Sequence, residues 1–399
     1  MADPSLLTLT FPELGRETTH VGDYSLTTHY ITSTDSFDVN LVSDFRDELF
    51  DLEVQPIELS ISSEHVPTAL QMIGRVDRSK SGEGQAVNLS GRDFLADMVT
   101  NRIDPTYTDT KDTDLGTAIL GASQSVGITQ VDATGDLTAR NIRTGKTPSG
   151  GGAGKDFVSV KLEDVKPKPG MGVFDFCNRL AARNGATIQP GATRGVLSLQ
   201  EPDYTQSPLY QLRRTTAQPS GAANNISAAS AVRDYSTFPT YALLEGQASG
   251  AKSGGRPSGT LDIVALADQY GPEFARIVAA SCVAGRIKPG EPGPTEGKLY
   301  RLFYNRDDDT RNQAQSDALA ARSVSDRLKE TLVYTVRLRG FEDPESHAIW
   351  AINTIIDVSD EINNVFEPVW VAGRKFSNNR QGPTTELTCW RVGAYVVGV

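Results

Sequence analysis

QMIGRVDRSKSGEGQAVNLSGRDFLADMV, residues Gln71 to Val99, carries the pattern of a β-hairpin followed by a short cap. Apolar residues mark a first strand over Met72–Val76. Ser79–Gly84 has turn composition, because glycine tolerates positive φ and serine hydrogen-bonds its own backbone. Val87 and Leu89 then alternate with polar neighbours, which is the period of a half-buried strand. The stretch therefore predicts antiparallel β-structure.

A similar pattern lies near the C-terminus. Val369–Phe376 reads VWVAGRKF, SNNRQGP follows as a turn, and Glu386–Arg391, ELTCWR, is the returning strand. Two such hairpins indicate two related β-domains with other material between them.

The two hairpins also share a spacing. Gly74-Arg75 is followed by Gly91-Arg92, and Gly373-Arg374 by Trp390-Arg391, each 17 residues later. The first members of the two pairs lie 299 residues apart. Any two glycine-containing hairpins align to some extent, so the spacing alone leaves both an internal repeat and a chance similarity open.

Length and composition favour a multidomain β-rich protein. The chain has 399 residues, and domains average about 100–200 residues. Glycine (36) and proline (21) are abundant, which favours turns over long helices. The net charge of −11 argues against a general nucleic-acid-binding protein, because such a protein needs a basic face to displace phosphate counterions.

The cysteines predict neither a disulfide framework nor a zinc site. Cys177, Cys282 and Cys389 are isolated and odd in number. Cys177 and Cys389 lie in apolar patterns and are expected to be buried as small hydrophobic residues. We also expect no signal peptide and no membrane anchor, since no basic and apolar leader and no run of about 18 apolar residues is present.

Apolar periodicity divides the chain into four predicted segments. Residues 1–100 read as a first β-domain of five to seven short strands. Residues 101–225 read as a small α+β domain in which a helix, a glycine stop and a short strand occur twice, at 114–127 and 172–185. Residues 226–249 and 331–399 form a second β-domain.

The fourth segment, residues 250–330, is predicted to be an insertion into the second β-domain. It contains the loop composition of 250–259 and 288–297 and a helix over Asp309–Lys329. A further glycine-rich loop is predicted at 144–154, within the α+β domain.

Motifs for catalysis or cofactor binding are not supported. Gly145-Lys146-Thr147 and Gly154-Lys155 lack the glycine five residues earlier that a phosphate-binding loop requires. Asp307–Asp309 lacks the glycine and distal glutamate of a calcium loop, and it suits the start of the helix that follows. Paired carboxylates remain possible among 50 acids, but no aromatic setting marks a pair.

The four histidines show no metal-binding spacing. His20, His29, His65 and His347 form no HxH or HExxH arrangement and are predicted to be surface or strand residues. Positive charge thickens over 141–168, but interspersed acids favour a solvated loop there. We therefore predict no catalytic residues, no cofactor and no metal site.

In this arrangement the chain resembles the baseplate hub proteins of contractile-tailed bacteriophages, most closely the Mu-type tail hub. The resemblance is carried by the hairpin Gly74–Asp77, the cap Gly91–Met98, the two helix-glycine units and the element order of 310–399, including DALAARSVSDRLKET. No single motif is specific to this family, and the resemblance depends on the order of all the motifs along the chain.

The resemblance implies a mainly β structural protein with two similar antiparallel β-barrels, the small α+β domain and the inserted segment. Such hubs are homotrimers whose six barrels form a pseudo-sixfold ring. The ring joins a hexameric tail tube above to a trimeric spike below, contacts other baseplate and tape-measure proteins, and lets DNA pass without specific binding. The expected location is the virion tail baseplate, after assembly in the host cytoplasm.

Two alternatives follow from the same resemblance. One is the hub of a tailocin or a type VI-like injection machine, and the other is a hub with muralytic, peptidoglycan-degrading activity. The loops at 144–154 and 250–298 are longer than expected of the Mu-type hub, and we hypothesise that they contact the spike or neighbouring baseplate proteins.

Overall fold

The structure is a computed structural model, and it describes most of the chain. The described residues are 6–31, 33–42, 55–63, 65–81, 86–104, 107, 114–133, 167–183, 186–200, 202, 204, 206–216, 224–234, 241–246, 258–261, 302–307 and 327–394.

Nineteen strands and three α-helices have both ends within these residues, and a further helical stretch is described at 327–331. The strands are β1 (Leu6–Phe11), β2 (Arg16–Thr18), β3 (Val21–His29), β4 (Ser36–Val42), β5 (Pro56–Ser62), β6 (Ala69–Ser81), β7 (Ala86–Asp93), β8 (Gln130–Ala133), β9 (Thr187–Pro190), β10 (Val196–Gln200), β11 (Tyr210–Arg214), β12 (Ile226–Val232), β13 (Tyr241–Gly246), β14 (Ser258–Leu261), β15 (Leu302–Asp307), β16 (Val333–Arg339), β17 (Ile355–Asp360), β18 (Pro368–Asn379) and β19 (Gly382–Arg391). The helices are α1 (Leu95–Thr100), α2 (Leu115–Ser123) and α3 (Val173–Arg183). The fold is mainly β, as predicted, and its sheets are mostly antiparallel.

The main sheet contains 13 strands and consists of two groups with the same strand order. The N-terminal group runs β1-β5-β6-β7-β4-β3, with β2 added beside β1, and the C-terminal group runs β11-β17-β18-β19-β16-β12. Chain order and spatial order therefore correspond strand by strand. The groups differ at one end, because β1 pairs antiparallel with β5 whereas β11 pairs parallel with β17.

The register of the two hairpins corrects the predicted correspondence. Arg75 lies opposite Arg92 as the spacing predicts, but Arg374 lies opposite Leu387 rather than near Arg391. The register is set by a bulge in β6 just after Val76 and by a bulge in β18 just before Gly373. A bulge adds an unpaired residue, so a residue-by-residue alignment of the two sequences across it gives the wrong strand pairing.

Matching the two bulges aligns buried core residues of one group with buried core residues of the other. The aligned pairs are Phe37 with Tyr334, Val39 with Val336, Leu41 with Leu338, Ile57 with Ile356, Leu59 with Val358, Val76 with Val371 and Leu89 with Leu387. All of them belong to one hydrophobic cluster that spans both groups. Period-2 alternation explains this, because it turns every second side chain of each strand to the same face.

The α+β part forms a second core around α2, α3 and the sheet β8-β10-β9. Helices α2 and α3 are present in the two predicted helix-glycine units, and the glycine stop predicted for the second unit, at 184–185, lies outside the described residues. The side chain of Asp114 caps α2 by accepting a hydrogen bond from the Thr117 N–H at 2.8 Å. Gly127 ends that unit with φ of +87°, which glycine adopts without steric cost.

Strand β6 lies between the two cores. Met72 packs into the main cluster, whereas Ile73, on the opposite face, packs with Leu95 and Met98 of α1 in the second cluster. The stretch from β6 to α1 thus connects the sheet to the α+β part, because one strand serves both cores.

Two strands pair differently from the predicted segment plan. Tyr210–Arg214, placed by prediction in the α+β segment, is β11 and pairs with β17 in the main sheet. Tyr241–Gly246, placed in the second β-domain, pairs with β14 and β15 in a separate three-stranded sheet. Of the predicted helix Asp309–Lys329, only residues 327–329 are described; they are helical and continue to 331. The loops at 144–154 and 288–297 lie outside the described residues.

Candidate functional site: the joint between the two strand groups

The two strand groups meet at one antiparallel ladder between β3 and β18. Six residue pairs form it, from His29 opposite Gly373 to Tyr24 opposite Asn378. Strand β18 pairs with β17 through Val369 and Trp370, so its second half is available for β3. We call this ladder the joint.

A close approach at the joint requires glycine. A Cβ added to Gly373 would lie 2.5 Å from Cδ2 of His29, inside van der Waals contact. The His29 ring packs against Trp390 with centroids 5.5 Å apart, and its Nδ1 accepts a hydrogen bond from the Ile31 N–H at 3.2 Å. Burial lowers the pKa of His29, and the charge of Lys329 lowers it further. The ring is therefore neutral at physiological pH.

A buried guanidinium follows directly in β18. Arg374 donates from Nη1 to the Trp350 carbonyl at 2.6 Å, and its guanidinium lies 4.2 Å from the ring centroid of Phe376. Burial lowers the pKa of Arg374 to about 10, against the opposing effect of Asp35. The group remains charged at neutral pH, so a compensating negative charge beside it is favourable.

Asp35 is buried beside the His29 end of the joint, where its charge acts on Arg374, and Asp93 is buried next to Asp35. Asp35 accepts the His29 N–H at 2.9 Å, and the Asp93 N–H donates to the Asp35 carbonyl at 3.1 Å. Burial raises the pKa of Asp35 to about 7. Burial and then the nearby charge of Asp35 raise the pKa of Asp93 to about 8. The ionisation of both carboxyl groups is therefore coupled to folding.

Aromatic residues connect the joint to the α+β part. The rings of Tyr30 and Trp370 meet edge-on with centroids 5.2 Å apart. Gln189 of β9 donates from Nε2 to the Tyr30 carbonyl at 2.6 Å, and the Tyr30 hydroxyl accepts from Thr187 at 3.3 Å. These bonds hold β9 against the end of β3.

Two further strand edges correspond to the joint by the equivalence of the groups. Strand β12 is equivalent to β3, and the second half of β6 is equivalent to the second half of β18. Among the described residues no strand pairs with the outer edge of β12 or with that of 78–81. The side-chain amide of Asn363 reaches the Ala229 carbonyl at 3.4 Å, so a turn lies beside part of the β12 edge.

Exposed apolar side chains lie at and near the β12 edge. Val232 is 60% exposed, and the adjacent Arg233 donates to the carbonyls of Asn363 and Asn364 in the turn after β17. Ile362 and Phe366 of that turn region are 54% and 55% exposed. Large exposed apolar residues close to an open strand edge indicate a surface for association.

The four histidines occupy different settings. His20 is exposed and His29 lies in the joint, whereas His65 and His347 stack with ring centroids 4.0 Å apart beside Glu342. Sequence spacing missed this cluster because His65 is 277 residues from Glu342. No local pattern predicts such a contact.

Cys177 and Cys389 are fully buried, as predicted, and burial raises the pKa of both thiols. Cys282 and most of the basic run at 141–168 lie outside the described residues. Within the described part of the chain, no helix has the length and apolar character needed to cross a membrane.

Comparison with known proteins identifies the fold. No protein-family profile and no curated protein sequence matches the chain. A tail protein from Neisseria meningitidis matches its structure with a TM-score of 0.71 and 16% identity, over 98% of each chain. The 43 kDa tail protein of prophage MuSo2 from Shewanella oneidensis matches with a TM-score of 0.67 and 16% identity, over 98% of this chain and 99% of that chain.

A third match is the prophage tail protein gp18 from Listeria monocytogenes, with a TM-score of 0.54 and 9% identity over 96% of this chain and 94% of that chain. The chain therefore has the fold of phage tail proteins along its whole length. The predicted resemblance to the Mu-type tail hub is confirmed at the level of the fold.

Proposed function

We propose that the chain is the structural baseplate hub of a phage contractile tail. Whole-chain similarity to the Neisseria meningitidis tail protein and to the 43 kDa tail protein of prophage MuSo2 carries the proposal. In this proposal each strand group is one β-barrel, and three chains form a pseudo-sixfold ring between the hexameric tail tube and the trimeric spike. The protein acts in the virion baseplate after assembly in the host cytoplasm.

The repeated strand order supplies a geometry for the ring. Within one chain the C-terminal group presents β18 to β3 of the N-terminal group. The equivalent edges, 78–81 of β6 and the end of β12, are then the contact between neighbouring chains. Around a ring of three chains, the joint within each chain alternates with this ladder between chains, which gives six similar contacts. Each ladder is a heterologous contact, and the arrangement closes as a ring.

The equivalence also gives a register for the contact between chains. The pair His29–Gly373 of the joint corresponds to Asp234 of one chain opposite Arg78 of the next. Two residues along, Val232 falls opposite Lys80. Arg78, Lys80 and Asp234 are all exposed, and the first pair brings opposite charges together. Charge complementarity at that position supports the register.

DNA passage is part of the proposal. The net charge of −11 supports a lumen that DNA traverses without specific binding, because like charges repel across a narrow channel.

We also propose that the chain is not an enzyme. Incubation with purified peptidoglycan tests this, and release of soluble fragments by the protein would contradict it.

A second candidate is the hub of a related injection machine. A chain of the Francisella PdpA-VgrG complex matches with a TM-score of 0.54 and 9% identity, over 99% of this chain but 59% of that chain. Electron microscopy of induced lysates labelled with an antibody to this protein separates the candidates. Label on tails attached to DNA-filled heads supports a phage, and label on headless sheathed particles supports the alternative.

Light scattering on the purified full chain is the experiment that tests the hub. Three chains of 43.0 kDa give about 129 kDa. A particle of that mass for the protein alone, or a complex with three hub chains after mixing with its spike, supports the trimer. A monomer in both conditions would overturn it.

A further inference from the structure

Two histidines and a glutamate from distant parts of the sequence converge beside the loop between β5 and β6. His65 lies in that loop, and Glu342 and His347 lie in the segment between β16 and β17. The His65 Nδ1 is 2.8 Å from Oε1 of Glu342, and the His347 Nδ1 is 3.9 Å from the same oxygen. One ligand atom from each residue lies within 4.8 Å of those of the other two.

The ligand types fit a divalent transition metal. Two imidazoles and one carboxylate are the protein ligands of many zinc and iron(II) sites with open positions. Tetrahedral zinc with bonds of about 2.05 Å places its ligand atoms about 3.3 Å apart. The observed separations of 2.8 and 3.9 Å from the Glu342 oxygen lie on either side of that value.

The imidazole rings must turn to bind one ion. They are stacked with 24° between their planes, so their in-plane lone pairs run side by side rather than towards one point. The side chains of His65 and His347 are 43% and 48% exposed, which leaves room for rotation about their side-chain bonds. The core does not have to move when the rings turn.

The surrounding residues orient the carboxylate. The Ser63 hydroxyl donates to Oε2 of Glu342 at 2.5 Å, which leaves Oε1 directed towards the two histidines. Hydrogen bonds of this kind to the second oxygen typically orient a metal-binding carboxylate.

The backbone of His347 is held in an uncommon conformation. Its φ is +56°, and the preceding turn is held by Asp343, whose Oδ2 accepts from the N–H and the hydroxyl of Ser346 at 2.9 and 2.7 Å. A non-glycine residue in the left-handed region costs on the order of 1 kcal/mol and persists only when its surroundings impose it. Here that conformation places the imidazole beside Glu342.

We propose that His65, Glu342 and His347 form a binding site for a divalent transition metal, with Zn²⁺ as the probe ion. The bound ion connects the β5–β6 loop of the N-terminal group to the β16–β17 segment of the C-terminal group. It is a structural metal that reinforces the contact between the two groups already made by the Ser63–Glu342 hydrogen bond. The proposal is independent of the hub function.

Metal stoichiometry and affinity test the site. The full chain is treated with a chelator, dialysed, titrated with ZnCl₂ by calorimetry and analysed for bound zinc by mass spectrometry. We expect the wild type to bind one zinc ion per chain at this site. His65→Ala, His347→Ala and Glu342→Gln each lose that ion or bind it at least tenfold more weakly. His20→Ala is the matched control, because it removes an exposed histidine outside the cluster.

Thermal unfolding gives an independent readout. At one fixed Zn²⁺ concentration, the Tm of the wild type and of His20→Ala rises by a few °C, and the Tm of the three cluster variants rises less or not at all. Unchanged zinc binding in His65→Ala and His347→Ala, or no binding by the wild type, would overturn the proposal.

Discussion

His29 lies opposite Gly373 across the ladder that joins the two strand groups, and its Cδ2 comes within 2.5 Å of the position that a Cβ on residue 373 would occupy. The ring cannot retreat freely, because Trp390 packs against it and the Ile31 N–H is bonded to its Nδ1. The His29 ring therefore occupies the space that a side chain at position 373 would need.

Replacing Gly373 with alanine should separate the strands at the joint. We expect Gly373→Ala to lower the free energy of unfolding by about 1–3 kcal/mol, the usual cost of overpacking. Denaturant titration of the full chain measures it. In a double-mutant cycle, adding His29→Ala should recover part of the loss, because the clashing ring is gone. Strict additivity of the two changes would contradict the close contact as the cause.

Gly91 in the first hairpin should tolerate alanine less well than a helical glycine does. A Cβ on Gly91 would lie 2.0 Å from the Arg75 carbonyl oxygen and 2.6 Å from Cζ of Phe37. Backbone atoms of a central strand cannot move aside, so we expect a loss of at least about 2 kcal/mol.

The matched control for that change is Gly121→Ala in α2. Its nearest contact is the Tyr107 ring at 3.0 Å, and alanine also favours the helix by up to about 1 kcal/mol. Equal losses of stability for the two variants in thermal unfolding would show that the close contact at Gly91 does not cause the destabilisation.

The buried carboxyl group of Asp93 should make stability depend on pH. Its pKa is raised to about 8 in the folded chain, against about 3.9 when unfolded. A raised acid pKa contributes stability that is fully present below pH 4 and is lost as pH rises to 8. Asp93→Asn carries no such charge, so its stability relative to wild type should increase over that range.

We expect this relative gain to reach at least about 1.4 kcal/mol, the value of one pKa unit. Denaturant titrations of both proteins at several pH values between 4 and 9 measure the difference. A constant difference across the range would show that Asp93 ionises as it does in the unfolded chain.

The proposed contact between chains predicts a charge-sensitive edge on β6. Arg78→Glu combined with Lys80→Glu places negative charge opposite the end of β12, next to Asp234, and should shift the particle from trimer to monomer in light scattering. Arg337→Glu with Arg339→Glu changes two exposed arginines of β16 and should leave the mass unchanged. Equal trimer content in both double variants would rule out this edge as the interface.

Several local features could be predicted from the sequence. The alternation of Val87 and Leu89 predicted a half-buried strand, and Asp114 and Gly127 predicted the start and end of a helical unit. These signals are reliable because capping, turn conformation and alternation involve residues close together in the chain.

The register and membership of strands could not be predicted. The shared spacing of Gly74 and Gly373 placed the second hairpin out of register, because bulges on β6 and β18 set the pairing. Strands β11 and β13 have strand-like sequences, but they pair with strands that are distant in the sequence. Tertiary packing selects those partners, and the local pattern does not. Alternation identifies a strand without identifying its neighbour.

The sequence by itself determined that the chain is mainly β, where the hairpins β6–β7 and β18–β19 and the helices α2 and α3 lie, and which tail-protein fold it resembles. Only the tertiary structure decided that the two groups share one strand order, that His29 meets Gly373, and that His65 meets Glu342. The physical reason is range. Backbone preferences and side-chain periodicity act over a few residues, whereas contacts between residues hundreds of positions apart exist only after the whole core has packed.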